Sequence, residues 1–347
     1  MKTFTLFLLP LLLGFSLLNG NNFKNEDDHV SNQITKPAGS GGIHELTDLK
    51  DIGFAWNLTD WEGNAVDSLG LDIYYPTGAM SNQKYPVVVF CHAGGFTGGD
   101  KSNVTSLCDI LADYGFVCVA FNYRTGYIKN NPHACTADTT TLWNSVYRGM
   151  QDGDACLRWV KKFGTKYNMD TSWMFYAGTS AGASVVLNSA YSNDSTAAIY
   201  FPREKMALGN LSNSGNSYSN NYSIKGIGAM WGSIFSDQVI DTNYRAYPTI
   251  MFKGDEDSGL PDSVGYFYGC TNYAPALFAG VGIYSRMVVE KTPCVYYELP
   301  GANHPAYDDE FCMENLSCFF KNIMHGTPYT GRYSYYAPSC PQFDGEF

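Results

Sequence analysis

The sequence predicts an α/β fold, a mostly parallel β-sheet covered on both faces by helices. Three observations carry this. Residues 87–91 and 116–121 are continuous apolar runs, the mark of strands buried on both faces. Such runs alternate with helix-spaced segments from residue 85 onward. No composition break or internal repeat divides the 347 residues, which suffice for one large core.

Taken in order, the chain opens on Met1-Lys2 and an apolar run that ends in small residues at Asn19-Gly20. This pattern predicts a secretory signal peptide over 1–20, and the run is short for a membrane-spanning helix. Residues 21–43 are polar and contain Gly-Ser-Gly-Gly, the composition of a flexible leader. A single domain is expected over 44–327. Alternation over 69–75 predicts an early strand. The apolar run 87–91 is a buried strand, and His92-Ala93-Gly94-Gly95 follows it at once. Residues 102–114 read as a helix with a cap region at Asp100-Lys101-Ser102 and a stop at Gly115. A strand over 116–121 comes next, then a helix over 145–163 stopped by Gly164.

Residues 173–177 predict the strand before a Gly-rich turn, and 183–191 the helix after it. Residues 192–223 are rich in Asn, Ser and Gly and lack clear periodicity. A loop of that length inside a compact domain is usually functional or mobile, and a cap-like insertion bordering the reaction pocket is expected here. Strands over 227–231 and 249–252, a loop and helix over 261–282, a last strand over 294–299 and a helix over 311–324 complete the domain. The Tyr-rich segment 328–347 reads as a tail packed on the domain and pinned by Cys340.

A net charge of -11 speaks against nucleic acid or an anionic membrane as partner, because the long-range field repels both. Ten cysteines without a C-x-x-C pair fit an oxidising compartment rather than zinc or redox chemistry. Up to five disulfides are possible, although Cys118 could equally be a small core residue. N-x-S/T sequons at Asn57, Asn103, Asn193, Asn210, Asn221 and Asn315 are available for glycosylation.

The chemistry centres on Ser180 in Gly178-Thr179-Ser180-Ala181-Gly182. A serine between glycines at a strand-to-helix turn is a nucleophile elbow. Serine is a weak nucleophile until a base takes its proton, and the base needs an orienting group. His304 follows the final strand, where doubly wound sheets place their sites. His325, at the end of the last helix, is the alternative base. After the penultimate strand, Lys253-Gly254-Asp255-Glu256-Asp257 ends in three acids. Asp257 lies past the tight turn and is the chosen orienter, with Asp255 as runner-up. The chain order Ser180, Asp257, His304 is that of one particular hydrolase fold. Backbone N–H groups of Gly94, Gly95 and Ala181 are placed to form an oxyanion hole.

These motifs resemble an α/β-hydrolase of the carboxylesterase/lipase superfamily, in the group with an H-G-G-G oxyanion loop. The resemblance runs from about residue 71 to His304. It includes His92-Ala93-Gly94-Gly95-Phe96, Gly99-Asp100-Lys101, Asn122-Tyr123-Arg124, Gln151-Asp152, Leu157-Arg158-Trp159-Val160, the Ser180 elbow, Lys253 to Asp257 and Asn303-His304. It implies an α/β-hydrolase fold and a secreted serine esterase, with Asp152 and Arg158 as scaffold. Ser180 would attack an ester carbonyl and His304 would serve as base and then acid. No metal or organic cofactor is implied. The ester could be an acylated polysaccharide, a lipid or a polyester. A serine peptidase or amidase of the same fold and a non-catalytic binding protein are the alternatives. Two departures stand out. Ala93 replaces a glycine, and its methyl is expected to narrow the oxyanion pocket. Lys253 stands where many members have His, a position expected to do no chemistry.

Overall fold

The computed structural model describes residues 43–130 and 135–337. The expected signal peptide, nearly all of the leader and Cys340 lie outside the described residues. The main sheet has nine strands: β1 (Leu49–Ala55), β2 (Leu69–Tyr74), β3 (Tyr85–Cys91), β4 (Val117–Phe121), β5 (Met169–Thr179), β6 (Ile224–Met230), β7 (Thr249–Gly254), β8 (Cys294–Leu299) and β9 (Gly331–Ser334). Their spatial order is β1-β2-β4-β3-β5-β6-β7-β8-β9. The β1–β2 and β2–β4 pairs are antiparallel, and every later pair is parallel. The helices are α1 (Thr105–Asp113), α2 (Thr139–Phe163), α3 (Ala181–Ala190), α4 (Asp194–Tyr200), α5 (Pro202–Leu208), α6 (Gly280–Val289) and α7 (Asp309–Met324).

The continuous apolar runs have a direct cause. Alternate residues of one strand serve two different cores, because side chains alternate across a sheet. Val87 and Val89 of β3 join Tyr176, Trp159 of α2 and Val185 of α3 on one face. Val88 and Phe90 join Phe175, Leu111 of α1 and Phe320 of α7 on the other. Phe175 and Phe320 stack with centroids 4.2 Å apart.

Several expectations need correction. Strand β1 was not anticipated, because Leu49–Ala55 is exposed at its start and buried only in its second half, which hides any alternation. Helix α2 begins at Thr139 rather than 145, since the Asp138 carboxylate accepts from the N–H groups of Thr140 and Thr141. The segment 192–223 is not a structureless loop. It holds α4 and α5, and the rest is pinned under α2 by the fully buried Arg158. That guanidinium donates to Asn216 Oδ1 at 2.9 Å and to the Ser214 carbonyl at 2.6 Å. Asn216 Nδ2 in turn donates to the carbonyls of Phe54 and Ala155. Residues of this segment frame a separate polar cavity of about 310 Å³ with Asp154, Arg245 and Tyr247. The tail does more than pack on the domain, for β9 adds to the sheet beside β8.

Among the described residues one disulfide has both partners placed, Cys135–Cys270. Cys91, Cys108, Cys118, Cys156, Cys294 and Cys312 are buried free thiols, so five bridges are not formed. Asn315 is buried, with its side-chain amide bonded to the Phe311 carbonyl and its oxygen to the Tyr297 hydroxyl, which closes that sequon.

Asp152 and Arg124 form the scaffold ion pair. The Asp152 carboxylate accepts from the Arg124 backbone N–H, Nε and Nη2, the last at 2.8 Å. Both side chains are buried. Arg124→Met would strand that carboxylate without a counter-ion. It should destabilise the fold by about 3–5 kcal/mol, read as a lower urea midpoint at unchanged slope.

Candidate active site

Ser180 sits where β5 passes into α3, with φ 54° and ψ −119°. A positive φ is costly for a residue with a side chain, so the surroundings must impose it. The Ser180 N–H donates to the Met230 carbonyl at 2.9 Å, and its own carbonyl accepts from the Ser184 N–H at 3.0 Å. The flanking glycines permit the close approach. A Cβ on Gly178 would lie 2.7 Å from the Gly182 backbone, and one on Gly182 would lie 2.3 Å from the Cys91 carbonyl oxygen. The turn is therefore pressed against the carboxyl end of β3.

His304 lies on the turn after β8. Its Nε2 is 2.7 Å from Ser180 Oγ, and its Nδ1 is 3.0 Å from Asp257 Oδ2. An ionised carboxylate can only accept, so Nδ1 carries the proton and Nε2 faces the serine as acceptor. The Asp257 side chain is 1% exposed and that of His304 25%. Burial raises the Asp257 carboxyl, but hydrogen bonds from His304 and Lys253 outweigh it and hold the group well below the usual carboxylate range. Asp257 Oδ1 accepts the N–H groups of Gly259 at 2.8 Å and Leu260 at 3.0 Å.

Asp255, the runner-up, is placed elsewhere. Its carboxylate accepts the Gly301 N–H at 2.7 Å and steadies the turn that carries His304. His325 caps the end of α7 and does not line the cavity at Ser180. Lys253, at a position expected to do no chemistry, makes direct contact with Asp257. Its ammonium reaches Asp257 Oδ2 at 2.9 Å, with both groups 1% exposed. Sequence reasoning also passed over Asn303 as a side chain with a task. Its Oδ1 accepts from the N–H of His304 at 2.8 Å and that of Ser258 at 3.0 Å, tying the loop of His304 to the loop of Asp257. The Asn303-His304 pair in the sequence was its signal.

Gly94, with φ 133°, and Gly95, with φ 60°, line the same cavity as Ser180, Ala181 and His304. Gly94 has no room for a side chain, since a Cβ would fall 1.8 Å from the Gly98 carbonyl oxygen. The loop is held by the Gly126 and Tyr127 N–H groups, which donate to the Phe96 carbonyl. Ala181 opens α3, so its N–H belongs to the first turn, which lacks intrahelical acceptors. The cavity lining does not include Ala93, contrary to the expected narrowing. His92 lies outside the cavity, stacked on Tyr123 with centroids 4.5 Å apart, and burial keeps its imidazole on the neutral side.

The cavity has a volume of about 560 Å³. Apolar walls come from Phe96, Tyr127, Leu142, Phe267 and Tyr268, with Lys129 at the rim 4.6 Å from the centre of the Tyr268 ring. No residue of 192–223 lines it, so the expected cap role of that segment is overturned. Phe201 of that segment packs on Trp143, which packs on Phe267, and so supports the wall from a second layer. Apart from Phe96, on the loop after β3, these walls come from the segment after β4 and the segment after β7. Cys135–Cys270 joins these two segments. The Ala137 N–H reinforces the bridge by donating to the Tyr273 hydroxyl.

Residues 71–234 match the family model described as BD-FAE. Fumonisin B1 esterase of Sphingopyxis macrogoltabida is 30% identical over 124 residues, 36% of this chain and 23% of that protein. Carboxylesterase 3B of Mus musculus is 33% identical over 121 residues, 35% of this chain and 20% of that protein. The matched stretch thus spans under a quarter of these relatives. Among solved structures, a truncated carbohydrate esterase from gut microbiota superposes with TM-score 0.51 at 13% identity, covering 81% of this chain and 97% of that one. Thermogutta terrifontis esterase 2 gives TM-score 0.51 at 13% identity, covering 82% and 96%. At such identities the likeness establishes the fold. No helix among the described residues is long and apolar enough to cross a membrane.

The contact between elbow and strand is open to test. Gly182→Ala puts a methyl into the carbonyls of Cys91 and His92. It should cost about 1–3 kcal/mol in urea unfolding, as overpacking does, and displace Ser180 from His304 in a crystal structure.

Proposed function

We propose that this chain, an α/β-hydrolase related to the carboxylesterases, hydrolyses carboxylic esters through an acyl-enzyme on Ser180. The observation that carries the reading is the continuous array Ser180 Oγ to His304 Nε2, then His304 Nδ1 to Asp257 Oδ2, at 2.7 and 3.0 Å, opening on an apolar cavity.

In this reading His304 Nε2 removes the Ser180 proton as Oγ attacks the substrate carbonyl carbon. The imidazolium so formed is stabilised by Asp257, which stays ionised through the acid range. The carbonyl oxygen becomes an oxyanion and takes hydrogen bonds from the N–H groups of Gly94, Gly95 and Ala181. His304 then gives its proton to the leaving alkoxide, and the alcohol departs. Water enters and loses a proton to His304. It attacks the acyl carbon, and the returning proton frees Ser180 with release of the acid. All groups needed for this cycle are side chains and amides of the chain itself.

Support for a bulky substrate comes from the walls. A cavity of about 560 Å³ lies within the range of roughly 300–1,000 Å³ that holds drug-sized ligands. Aromatic faces of Phe96, Phe267 and Tyr268 suit an aryl or branched apolar group better than an acetyl group alone. Together with the secretory signature of residues 1–20, this favours an extracellular ester, with acylated polysaccharide, lipid and polyester as candidate sources.

Ser180→Ala should lose on the order of 10⁴-fold or more in kcat/KM on p-nitrophenyl esters. Wild-type protein should take up one fluorophosphonate label that the variant does not. A protein that neither labels nor turns over such esters would refute the reading, and faster cleavage of matched anilides would move it to an amidase. The disulfide gives a second expectation. Cys135→Ser with Cys270→Ser should raise KM severalfold for bulky aryl esters and leave p-nitrophenyl acetate kinetics nearly unchanged, measured by initial rates.

A further inference from the structure

Lys253 is the last residue but one of β7, in a strand whose residues are all buried. Burying an ammonium costs several kcal/mol unless its protons are taken up by partners. Here each of the three protons has an acceptor. These are Asp257 Oδ2 at 2.9 Å, the Leu260 carbonyl at 3.3 Å and the Gly254 carbonyl at 3.4 Å. The ammonium therefore binds both the orienting carboxylate and the backbone of the loop that carries it.

Asp257 is closed from every side by this arrangement. Oδ1 takes two backbone N–H groups, while Oδ2 is shared by Lys253 and His304. Four donors on two oxygens leave the carboxylate one orientation. Without Lys253, Oδ2 would keep only His304, whose own position depends on the turn after β8. Other charged groups stand around Lys253. Glu298 lies opposite it on β8 and is paired with Arg332 of β9. Asp262, on the loop after β7, is influenced by Lys253, Glu298, Arg332 and Asp255 together.

We propose that Lys253 is a positioning residue, whose buried ammonium locks the Asp257 carboxylate in the orientation that holds His304 against Ser180. The activity it supports is the ester hydrolysis proposed above, so that part of the prediction rests on that reading. Lys253 touches neither substrate nor the reacting atoms, and acts through Asp257.

Lys253→Met keeps the length and apolar stem but removes the cation and its protons. It should lower kcat/KM about 10–100-fold, with the loss in kcat and KM changed less than about twofold, as small misplacements do. Lys253 holds the Asp257 carboxyl down, so its removal raises that group. That shift follows from losing the Lys253 hydrogen bond and charge. In an Asp257→Asn background the same Lys253→Met change should cost nothing further. The far-downfield proton resonance of His304 Nδ1–H should shift or broaden in Lys253→Met, a readout that needs no substrate. If Lys253→Met does not fold, Lys253→Gln carries the same comparisons. An equal loss in both backgrounds would assign a merely structural role and overturn the proposal. So would a folded variant with unchanged kcat and resonance. A wild type that cleaves no ester, with a resonance that still responds to Lys253→Met, would refute the ester reading and uphold the positioning role.

Discussion

The rest of the structure depends on one close approach, the contact between the Ser180 turn and the carboxyl end of β3. Only a residue without Cβ fits at Gly182, because the Cys91 and His92 carbonyls are already there. That contact fixes three things at once. It sets the depth at which α3 docks on the sheet, it forces Ser180 to a positive φ, and it brings the loop after β3 beside the serine. A strained turn at Ser180 survives only because the sheet around it is over-determined. The two cores on opposite faces provide that excess.

Around this rigid centre the working side chains stand on loops, and loops need ties to be precise. Polar side chains provide the ties. Asp255 holds the turn before His304, and Asn303 joins that turn to the loop of Asp257. Lys253 anchors the same loop from the strand beneath it. The Phe96 carbonyl fastens the Gly-rich loop to the segment after β4. The ties of Asp255, Asn303 and Phe96 join segments far apart in the chain and could not be read from local pattern, whereas that of Lys253 spans only four to seven residues.

The comparison of expectation with structure is most instructive where they part. Strand and helix positions from β2 to α7 were legible because buried parallel strands are short and continuously apolar. Ser180, Asp257 and His304 were legible because turns at strand ends have strong local signatures. The segment 192–223 misled for a physical reason. Its Asn- and Ser-rich composition suggested a cap bordering the pocket, but the Asn216 and Asn220 side chains are spent on hydrogen bonds to Arg158 and to backbone carbonyls. The cavity walls were missed because they assemble largely from two segments joined by Cys135–Cys270, a pairing that cysteine count cannot supply.

By itself the sequence determined the α/β class and singled out Ser180, His304 and the acids Asp255 and Asp257 as candidate site residues. Those features follow from local rules, namely which runs can be buried and where glycine permits a tight turn. The tertiary structure alone decided that Asp257 rather than Asp255 faces His304, that Lys253 closes the carboxylate, and that the reaction pocket is walled largely by the segments after β4 and β7. Such choices depend on side-chain distances set by the folded backbone, and hydrogen bonds and buried charges are decided only at contact range.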